Sequence, residues 1–446
     1  MAVRPVLLAL LVSLVAAAPA AARGPTVSGT VDRAVAAGQV VPEHGEAYKA
    51  TYTAARRAVR TLSGTRKREL RGAMSVIEGL VKRRQLPASR MPAAFLQLGR
   101  NVEWWSRNGP PRSTAATGWL PRVTFRGDPI VFQWYPGQGL AIQPLATFGK
   151  ANALWSARKA EELRILLDRM AAVAGRRGDG WPAWEYLFSF DGGRPGWVSG
   201  MAQGTGIQAY TRGAQLLGRP DYLEVARAAL GAFETDAPEG VRVRAAGGRH
   251  YLLYSFAPRM RVLNGFLQSL VGLYDFAAAT GDPRARQLFA AGDAAARRSL
   301  SRFDTGAWSL YAQGGSESSL GYHELVTDFL GSLCARTHAP DYCAMRDRFR
   351  RYLKEPPRIS IRFAGPRRAR RTVRVRVTLS KISGVTLRIA RGDRLVLARS
   401  ATLRRGTHTF RLRPARGGEH QVQVQARDLA GNRAATTRAL RISGDP

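Results

Sequence analysis

In the first quarter of the chain, apolar residues recur at spacings of three and four, which is the period of a helix that buries one face. The pattern is clear at Tyr48, Tyr52 and Ala55. It stops at 108–111, where Asn-Gly-Pro-Pro has the composition of a turn. This pattern predicts an N-terminal helical segment that covers residues 23–115.

The same period returns between 140 and 353 as a series of shorter helices. Their predicted bounds are 155–174, 199–217, 222–233, 262–280 and 283–302, and a sixth helix begins near Tyr322. At two junctions a glycine marks the helix end and a proline the next start, Gly218 with Pro220 and Gly281 with Pro283. Helix pairs that repeat with tight turns predict an (α/α) toroid over residues 116–355, with an irregular helical bundle as the alternative.

After the Pro356-Pro357 pair the hydrophobic period changes to two. Valine and arginine alternate from Val373 to Val377, and similar short runs follow between turns that contain glycine. Six or seven strands of this kind predict an immunoglobulin-like β-sandwich over residues 356–446. The predicted fold is therefore mainly α, a toroid followed by a sandwich.

The formal net charge of the 446 residues is +37. Between 358 and 446 there are 22 Arg or Lys and 4 Asp or Glu, so this segment has half of the charge. A surface of this kind concentrates anionic polymers. An anionic cell-wall or uronic-acid polysaccharide is the predicted partner, and nucleic acid is not, because no nucleic-acid-binding motif is present in the sequence. A genome rich in arginine codons is the alternative explanation of the charge.

The first residues have the pattern of a secretory signal. Arg4 precedes an apolar run that ends in Pro19 and a short alanine stretch, which predicts a cleaved signal peptide over residues 1–22. A retained N-terminal anchor is the alternative. The protein is expected to be secreted or held at the cell surface.

Cys334 and Cys343 are the two cysteines of the chain. An even, closely spaced pair in an oxidising compartment predicts a structural disulfide. A zinc site needs a second pair of ligands that the spacing does not provide. Neither a metal nor a cofactor is predicted.

Three segments contain more aromatic, amide and glycine residues than helix formation requires. They are 133–146 (Gln-Trp-Tyr-Pro-Gly-Gln-Gly-Leu-Ala-Ile-Gln-Pro-Leu-Ala), 196–207 (Gly-Trp-Val-Ser-Gly-Met-Ala-Gln-Gly-Thr-Gly-Ile) and 262–275 (Val-Leu-Asn-Gly-Phe-Leu-Gln-Ser-Leu-Val-Gly-Leu-Tyr-Asp). Together with Gly-Trp-Pro at 180–182 and Gly-Tyr-His at 321–323, they resemble the C-terminal catalytic domain of the D-glucuronyl C5-epimerases. The resemblance implies an (α/α) toroid that acts on glucuronic acid units of heparan-type chains such as heparosan.

Inversion at carbon 5 of a uronic acid requires acid and base groups on the two faces of the sugar, and cations or hydrogen-bond donors at its carboxylate. The resemblance implies Tyr254, Tyr311, Tyr322 and His323 as the acid and base candidates. The candidates for sugar contact are Gln133, Trp134, Tyr135, Gln138, Gln203 and Asn264. Packing or capping is the structural alternative for each acid or base candidate and for Gln203 and Asn264.

Two positions depart from the animal enzymes of this family. Leu253 stands where they have a glutamate, and Gly314 stands where they have an arginine placed to bind the uronate carboxylate. Arg259 or Arg261 is a candidate for the missing cation. Candidates for the missing carboxylate are Glu185, Asp191 and Glu317.

Because of these departures, three functions are compatible with the sequence. The leading hypothesis is a polysaccharide uronate epimerase, an isomerase. A uronate lyase would remove the same proton and then expel the oxygen on carbon 4. A non-catalytic glycan-binding protein of the cell surface would need neither step.

Overall fold

The computed structural model of the protein describes residues 24–112 and 120–444, so the predicted signal peptide lies outside the described residues. None of the helices within these two ranges is both long enough and apolar enough to span a membrane.

Four amphipathic helices form the N-terminal part. They are α1 (Val27–Ala36), α2 (Pro42–Thr61), α3 (Gly64–Lys82) and α4 (Met91–Arg107). An antiparallel sheet follows, formed by β1 (Arg122–Phe125), β2 (Asp128–Tyr135) and β3 (Gly139–Ile142). Helices α3 and α4 pack against β3. Buried Glu69 of α3 accepts hydrogen bonds from the Trp134 indole and from the backbone N–H groups of Gly137 and Gly139, so the N-terminal helices fix the loop between β2 and β3.

Nine helices and two small hairpins make up the described central part. The helices are α5 (Pro144–Ser156), α6 (Ala160–Ala172), α7 (Gly200–Leu217), α8 (Asp221–Ala229), α9 (Gly231–Glu234), α10 (Leu263–Thr280), α11 (Pro283–Ser299), α12 (Leu320–Thr337) and α13 (Pro340–Tyr352). The hairpins are β4 (Gly175–Arg177) with β5 (Trp181–Ala183), and β6 (Arg242–Ala245) with β7 (Gly248–Tyr251).

The central helices pack as a series of neighbouring pairs. Helix α7 lies between α5 and α10, and α10 also packs on α12, while α6, α8, α11 and α13 each pack against one or two of these four helices. A Cβ atom on Gly272 would lie 2.0 Å from the Gly204 carbonyl oxygen, so glycine is required where α7 and α10 approach most closely. Closure of this series of helix pairs into a toroid stays a prediction.

One continuous hydrophobic core extends from Val27 in α1 to Tyr352 in α13. The N-terminal helices therefore share their core with the central helices. The sulfurs of Cys334 and Cys343 are bonded and join α12 to α13.

Three predicted helix bounds differ from the structure. The predicted helix 283–302 ends at Ser299, where a 3-10 turn begins. The predicted helix 155–174 is two helices, because the chain turns at Arg158, whose φ of 56° ends the helical path between α5 and α6. The predicted helix 222–233 is divided at Leu230 into α8 and α9. The 199–217 and 262–280 predictions agree with α7 and α10 to within one residue.

The C-terminal part consists of seven strands. They are β8 (Ile359–Ala364), β9 (Val373–Leu379), β10 (Ser383–Arg391), β11 (Arg394–Leu403), β12 (Gly406–Leu412), β13 (Gly418–Asp428) and β14 (Arg433–Ile442). One antiparallel sheet has the order β12-β9-β8 and the other β11-β10-β13-β14. Apolar residues of both sheets form one separate core, so helices are followed by a β-sandwich as predicted. The immunoglobulin-like assignment itself stays a prediction.

Candidate functional site

Three tyrosines that are far apart in sequence have hydroxyl groups that meet. Tyr254 follows β7, Tyr311 lies on the hairpin 304–318 after α11, and Tyr322 lies in the first turn of α12. The hydroxyl oxygens of Tyr254 and Tyr311 are 3.0 Å apart, and Tyr311 is also hydrogen-bonded to Tyr322, whose ring meets it edge to face. All three side chains are half-buried. We call these three residues the tyrosine chain.

The tyrosine chain is protonated at neutral pH. Burial raises the pKa of Tyr254 to about 12 and also raises the pKa values of Tyr311 and Tyr322. The hydrogen bond from Tyr311 lowers the pKa of each neighbour, and the same two bonds raise the pKa of Tyr311 itself. Tyr311 therefore loses its proton last and can donate to a phenolate at Tyr254 or Tyr322.

An aromatic cluster adjoins the tyrosine chain. Its centre is Trp197, which stacks on Tyr186 with ring centroids 4.0 Å apart and has centroid distances of 5.4 Å to Phe256, 5.7 Å to Tyr254 and 6.2 Å to Phe190. Phe190 is exposed. These rings belong to small apolar clusters distinct from the main core. The exposed ring of Phe190 lies beside the half-buried ring and hydroxyl group of Tyr254, an arrangement suited to stack on a sugar ring and to bond its oxygens.

The predicted segment 133–146 is divided between this cluster and the interior. Tyr135 stacks on Phe188 at 3.7 Å, and Gln138 bonds the backbone of Ser189 through both its amide nitrogen and its amide oxygen. Trp134, by contrast, donates to Glu69. Gln133 is buried in β2, with its amide oxygen 3.5 Å from Arg122 Nε. Tyr135 and Gln138 are thus the members of this set that adjoin the aromatic cluster.

Gln203 and Asn264 are buried and engaged within the protein. The Gln203 amide accepts from the Trp184 N–H and donates to the Pro182 carbonyl. The Asn264 side-chain oxygen accepts from the N–H of Gly265. The Gln203 bonds hold β5 and Trp184 against α7 and favour the packing alternative. Asn264 lies in the first turn of α10, whose N-cap is Val262, so the predicted capping role is wrong although the side chain is buried.

His323 lies beneath the tyrosine chain and is enclosed. It stacks on Trp308 at 3.9 Å, bonds Ser309 through Nδ1 and bonds the Phe349 carbonyl through Nε2. Burial lowers the pKa of His323 to about 4, so the imidazole is neutral at pH 7. Its contacts fix the base of the hairpin that contains Tyr311.

The two departures from the family fit their surroundings. Leu253 is buried against Met201 and Val262, where a glutamate would be desolvated without a partner. Gly314 lies at the tip of the hairpin with φ 72°, a backbone conformation that favours glycine over arginine.

The two predicted cations differ in their surroundings. Arg259 is exposed. Arg261 donates to the Arg244 carbonyl, and its charge together with burial lowers the pKa of His250 to about 3. The Arg261 guanidinium is therefore held at the β6–β7 hairpin.

A different arginine acts on the aromatic cluster. Arg122 is exposed at the start of β1, and its positive charge lowers the pKa values of Tyr135 and Tyr186 against the stronger raising effect of burial. Sequence reasoning missed Arg122, and it also missed Tyr186, Phe190, Trp197 and Phe256 as a group. The density of aromatic residues between 181 and 197 was the available signal for the cluster, whereas no local signal points to Arg122.

The three predicted carboxylates have separate environments. Glu185 is buried between Arg90 and Arg177, with N–O distances of 2.5 and 2.6 Å. Asp191 is exposed, and its charge raises the pKa of Tyr254. Glu317 lies on the Tyr311 hairpin and accepts the backbone N–H groups of Ile382 and Arg405. Asp191 is therefore the one of these three whose charge acts on the tyrosine chain.

The sandwich supports the hairpin of Tyr311 at a second point. Lys381 is buried, its ammonium group is 2.7 Å from Asp428, and it also donates to the carbonyls of Tyr352 and Glu355. The same ammonium group lies 5.3 Å from the centre of the Trp308 ring, on which His323 stacks. The sandwich thus contacts Trp308, which lies on the hairpin of Tyr311 and stacks on His323.

Within the described residues, no group of three or more His, Cys, Asp and Glu side chains could hold a metal ion. The acid and base chemistry that this arrangement offers comes from phenol groups, with an exposed carboxylate beside them.

Residues 179–351 match the family described as D-glucuronyl C5-epimerase C-terminus. A D-glucuronyl C5-epimerase of Caenorhabditis elegans is 35% identical over 130 residues, which are 26% of this chain and 21% of that relative, so the chain covers about a fifth of the relative's length. The family resemblance predicted from the motifs is confirmed. The segment 133–146 lies outside the matched residues.

Two solved structures are weakly similar to the chain. The structure of cellobiose 2-epimerase from Bacillus thermoamylovorans B4167 has a TM-score of 0.35 at 11% identity and covers 48% of this chain and 61% of its own. The endo-beta-1,4-glucanase CMCax from Acetobacter xylinum has a TM-score of 0.34 at 16% identity and covers 46% and 67%. At such scores neither likeness supports a conclusion about fold or function.

Proposed function

We propose, from the match of residues 179–351 to the D-glucuronyl C5-epimerase C-terminal family, that the protein is a polysaccharide uronate C5-epimerase that acts outside the cytoplasm. The observation that carries the proposal is the tyrosine chain, in which Tyr254, Tyr311 and Tyr322 share hydrogen bonds beside an aromatic cluster. The substrate class is a polymer that contains glucuronic acid units. The series of central helix pairs is proposed to be part of a toroid.

The proposed reaction moves one proton off carbon 5 and one proton onto it. A phenolate at Tyr254 or Tyr322 takes the proton, and the electron pair of the broken C–H bond moves into the neighbouring carboxylate. The phenol of the other tyrosine then delivers a proton to the opposite face of carbon 5, which inverts the centre. Tyr311 donates its hydrogen bond to whichever neighbour is the phenolate and so lowers the cost of that charge.

The carboxylate gains negative charge during this step and needs a counter-charge. Gly314 removes the arginine that the family places there. Arg122 is the cation whose charge reaches the aromatic cluster, and we assign it this role in place of Arg259 or Arg261.

Incubation of the protein with heparosan in deuterated water tests the proposal. We expect deuterium at carbon 5 of the uronic acid units, detected by NMR and mass spectrometry, without any unsaturated product. Unsaturated ends that absorb in the ultraviolet would replace the epimerase by a lyase. Binding of the polymer without deuterium incorporation would replace it by a non-catalytic glycan-binding protein, a second candidate that Leu253 and Gly314 favour.

The pH dependence of this exchange should reflect the raised phenol pKa values. The base must be deprotonated, and its folded pKa lies above the ordinary value of 10. The reactive fraction therefore grows about tenfold for each pH unit below that pKa. We expect kcat/KM for deuterium incorporation to rise continuously from pH 7 to pH 9. A plateau that begins near pH 7 would indicate a carboxylate or imidazole base instead.

A further inference from the structure

The outer face of the three-stranded sheet β12-β9-β8 carries a cluster of arginines. In the antiparallel register Arg362 of β8 lies opposite Arg376 of β9, and Arg374 of β9 lies opposite Arg411 of β12. All four side chains are exposed, and none of the four has an ion pair or side-chain hydrogen bond with any described residue. We call these four residues the arginine face.

The arginine face has a cost in the free protein. Like charges directly opposite each other on neighbouring strands destabilise a sheet. The three strands contain no Asp or Glu that could balance the four guanidinium groups. The remaining positions of this face are small or hydroxyl-bearing, such as Thr378 and Thr407, whose hydroxyl oxygens are 2.8 Å apart. The positive charge of this face is therefore unbalanced within the three strands and exposed to solvent.

The other sheet of the same sandwich provides an internal comparison. Along the middle of its outer face, β10 and β13 present Thr386 opposite Gln425 and Arg388 opposite Gln423, and the flanking strands add Ser400 and Thr437. Arg388 is the one arginine among these six residues. The ends of this face have one facing arginine pair, Arg427 with Arg433, and an Arg441 that is paired with Glu419. The arginine face differs from it in having two facing pairs on neighbouring positions and no carboxylate.

We propose that the arginine face binds the uronic-acid polysaccharide on which the proposed active site acts. This inference rests on the proposed function for the identity of the polymer. Guanidinium groups pair with carboxylates in a fixed, two-pronged geometry, and two adjacent rows of them fit an extended chain of sugar acids. The face lacks an exposed aromatic ring on which a nucleic-acid base could stack, so a single-stranded nucleic acid fits less well.

The position of the face also fits this partner. Arg405, whose backbone N–H is bonded to Glu317 of the Tyr311 hairpin, is six residues before Arg411 along the same segment. At the rise of an extended strand this is a distance of about 20 Å. One short segment therefore joins the arginine face to the hairpin of Tyr311, and we infer that a single polymer chain can contact both.

The test compares two fourfold variants of the full protein in binding to heparosan by isothermal titration calorimetry over a salt series. One variant replaces the arginine face, R362Q/R374Q/R376Q/R411Q. The control removes the same charge from the other sheet, R388Q/R394Q/R427Q/R433Q. We expect the first variant to lose at least about tenfold in affinity at low salt and most of its salt dependence, while the control stays close to the unsubstituted protein. The first variant should also melt no lower than the control, because it removes two facing arginine pairs and the control removes one, Arg427 with Arg433.

Equal affinities of the two variants would overturn the inference. Tighter arginine-dependent binding of DNA or of phosphatidylserine vesicles than of heparosan would also overturn it. Deuterium exchange on a short oligosaccharide, measured in the same variants, separates the two proposals. If exchange persists and polymer binding does not depend on the four arginines, this inference alone is contradicted. If exchange is absent and polymer binding does depend on them, the epimerase proposal alone is contradicted.

Discussion

Replacing Tyr311 with phenylalanine is expected to lower the rate of deuterium incorporation at carbon 5 by about 10–10²-fold, because a hydrogen bond to a charged group contributes about 1.5–3 kcal/mol. The substitution removes the hydroxyl that bonds both Tyr254 and Tyr322 while the ring and its edge-to-face contact remain. Without the hydrogen bond from Tyr311, a phenolate at either neighbour becomes harder to form. The effect should fall on kcat and kcat/KM alike, since Tyr311 stabilises the phenolate base and has no assigned contact with the substrate.

Tyr274→Phe is the matched control for this substitution. The Tyr274 hydroxyl donates to the Arg336 carbonyl at 2.6 Å on the outer side of α10, so its loss removes a comparable bond away from the site. Both variants should lose only about 0.5–1.5 kcal/mol of unfolding free energy. Unchanged exchange in Tyr311→Phe, at a stability equal to that of the control, would exclude Tyr311 as the donor that stabilises the phenolate base.

Lys381→Met is expected to have the largest effect on stability, a loss of about 3–5 kcal/mol of unfolding free energy. The ammonium group is almost completely buried and pairs with the buried Asp428 carboxylate. Its removal leaves that charge in the interior and also leaves the carbonyls of Tyr352 and Glu355 without this donor. Chemical denaturation followed by circular dichroism measures the loss.

Two further variants separate charge from packing. Lys354→Met, at an exposed lysine nearby, should be nearly neutral. The double variant Lys381→Met/Asp428→Asn should lose less than Lys381→Met alone, because no unpaired charge remains inside. If Lys381→Met is as stable as Lys354→Met, the bonds of buried Lys381 do not hold the sandwich to the helices.

The regular elements could be predicted because their cause is local. Helices α7 and α10 bury nearly every side chain yet begin and end at residues with strong signals, such as Ser199 and Gly281. The predicted helix 155–174 was wrong at its start because helical spacing continues across the turn at Arg158. The hairpin that contains Tyr311 is too short to show a hydrophobic period in the sequence. Its conformation depends on contacts with residues that are distant along the chain.

The site could be predicted only in part, for the same reason. Tyr254, Tyr311 and Tyr322 were identified through the family resemblance, but their shared hydrogen bonds join segments 57 residues apart and follow from packing. Arg122 reaches the aromatic cluster from a strand outside the matched segment. Conversely, Gln203 and His323 have the chemistry of site residues, yet their polar atoms are occupied by Trp184, Ser309 and other internal partners.

The two hydrogen bonds that Glu317 accepts from the sandwich have a consequence for how the sequences of related proteins can differ. Both carboxylate oxygens of Glu317 are held by main-chain N–H groups, at Ile382 and Arg405, which every amino acid except proline supplies. Almost any residue can therefore replace Ile382 or Arg405 without loss of the hydrogen bond between that turn and the hairpin. Orthologues should accordingly retain the acidic residue and the length of both turns, while the residue types at the two contact points drift freely.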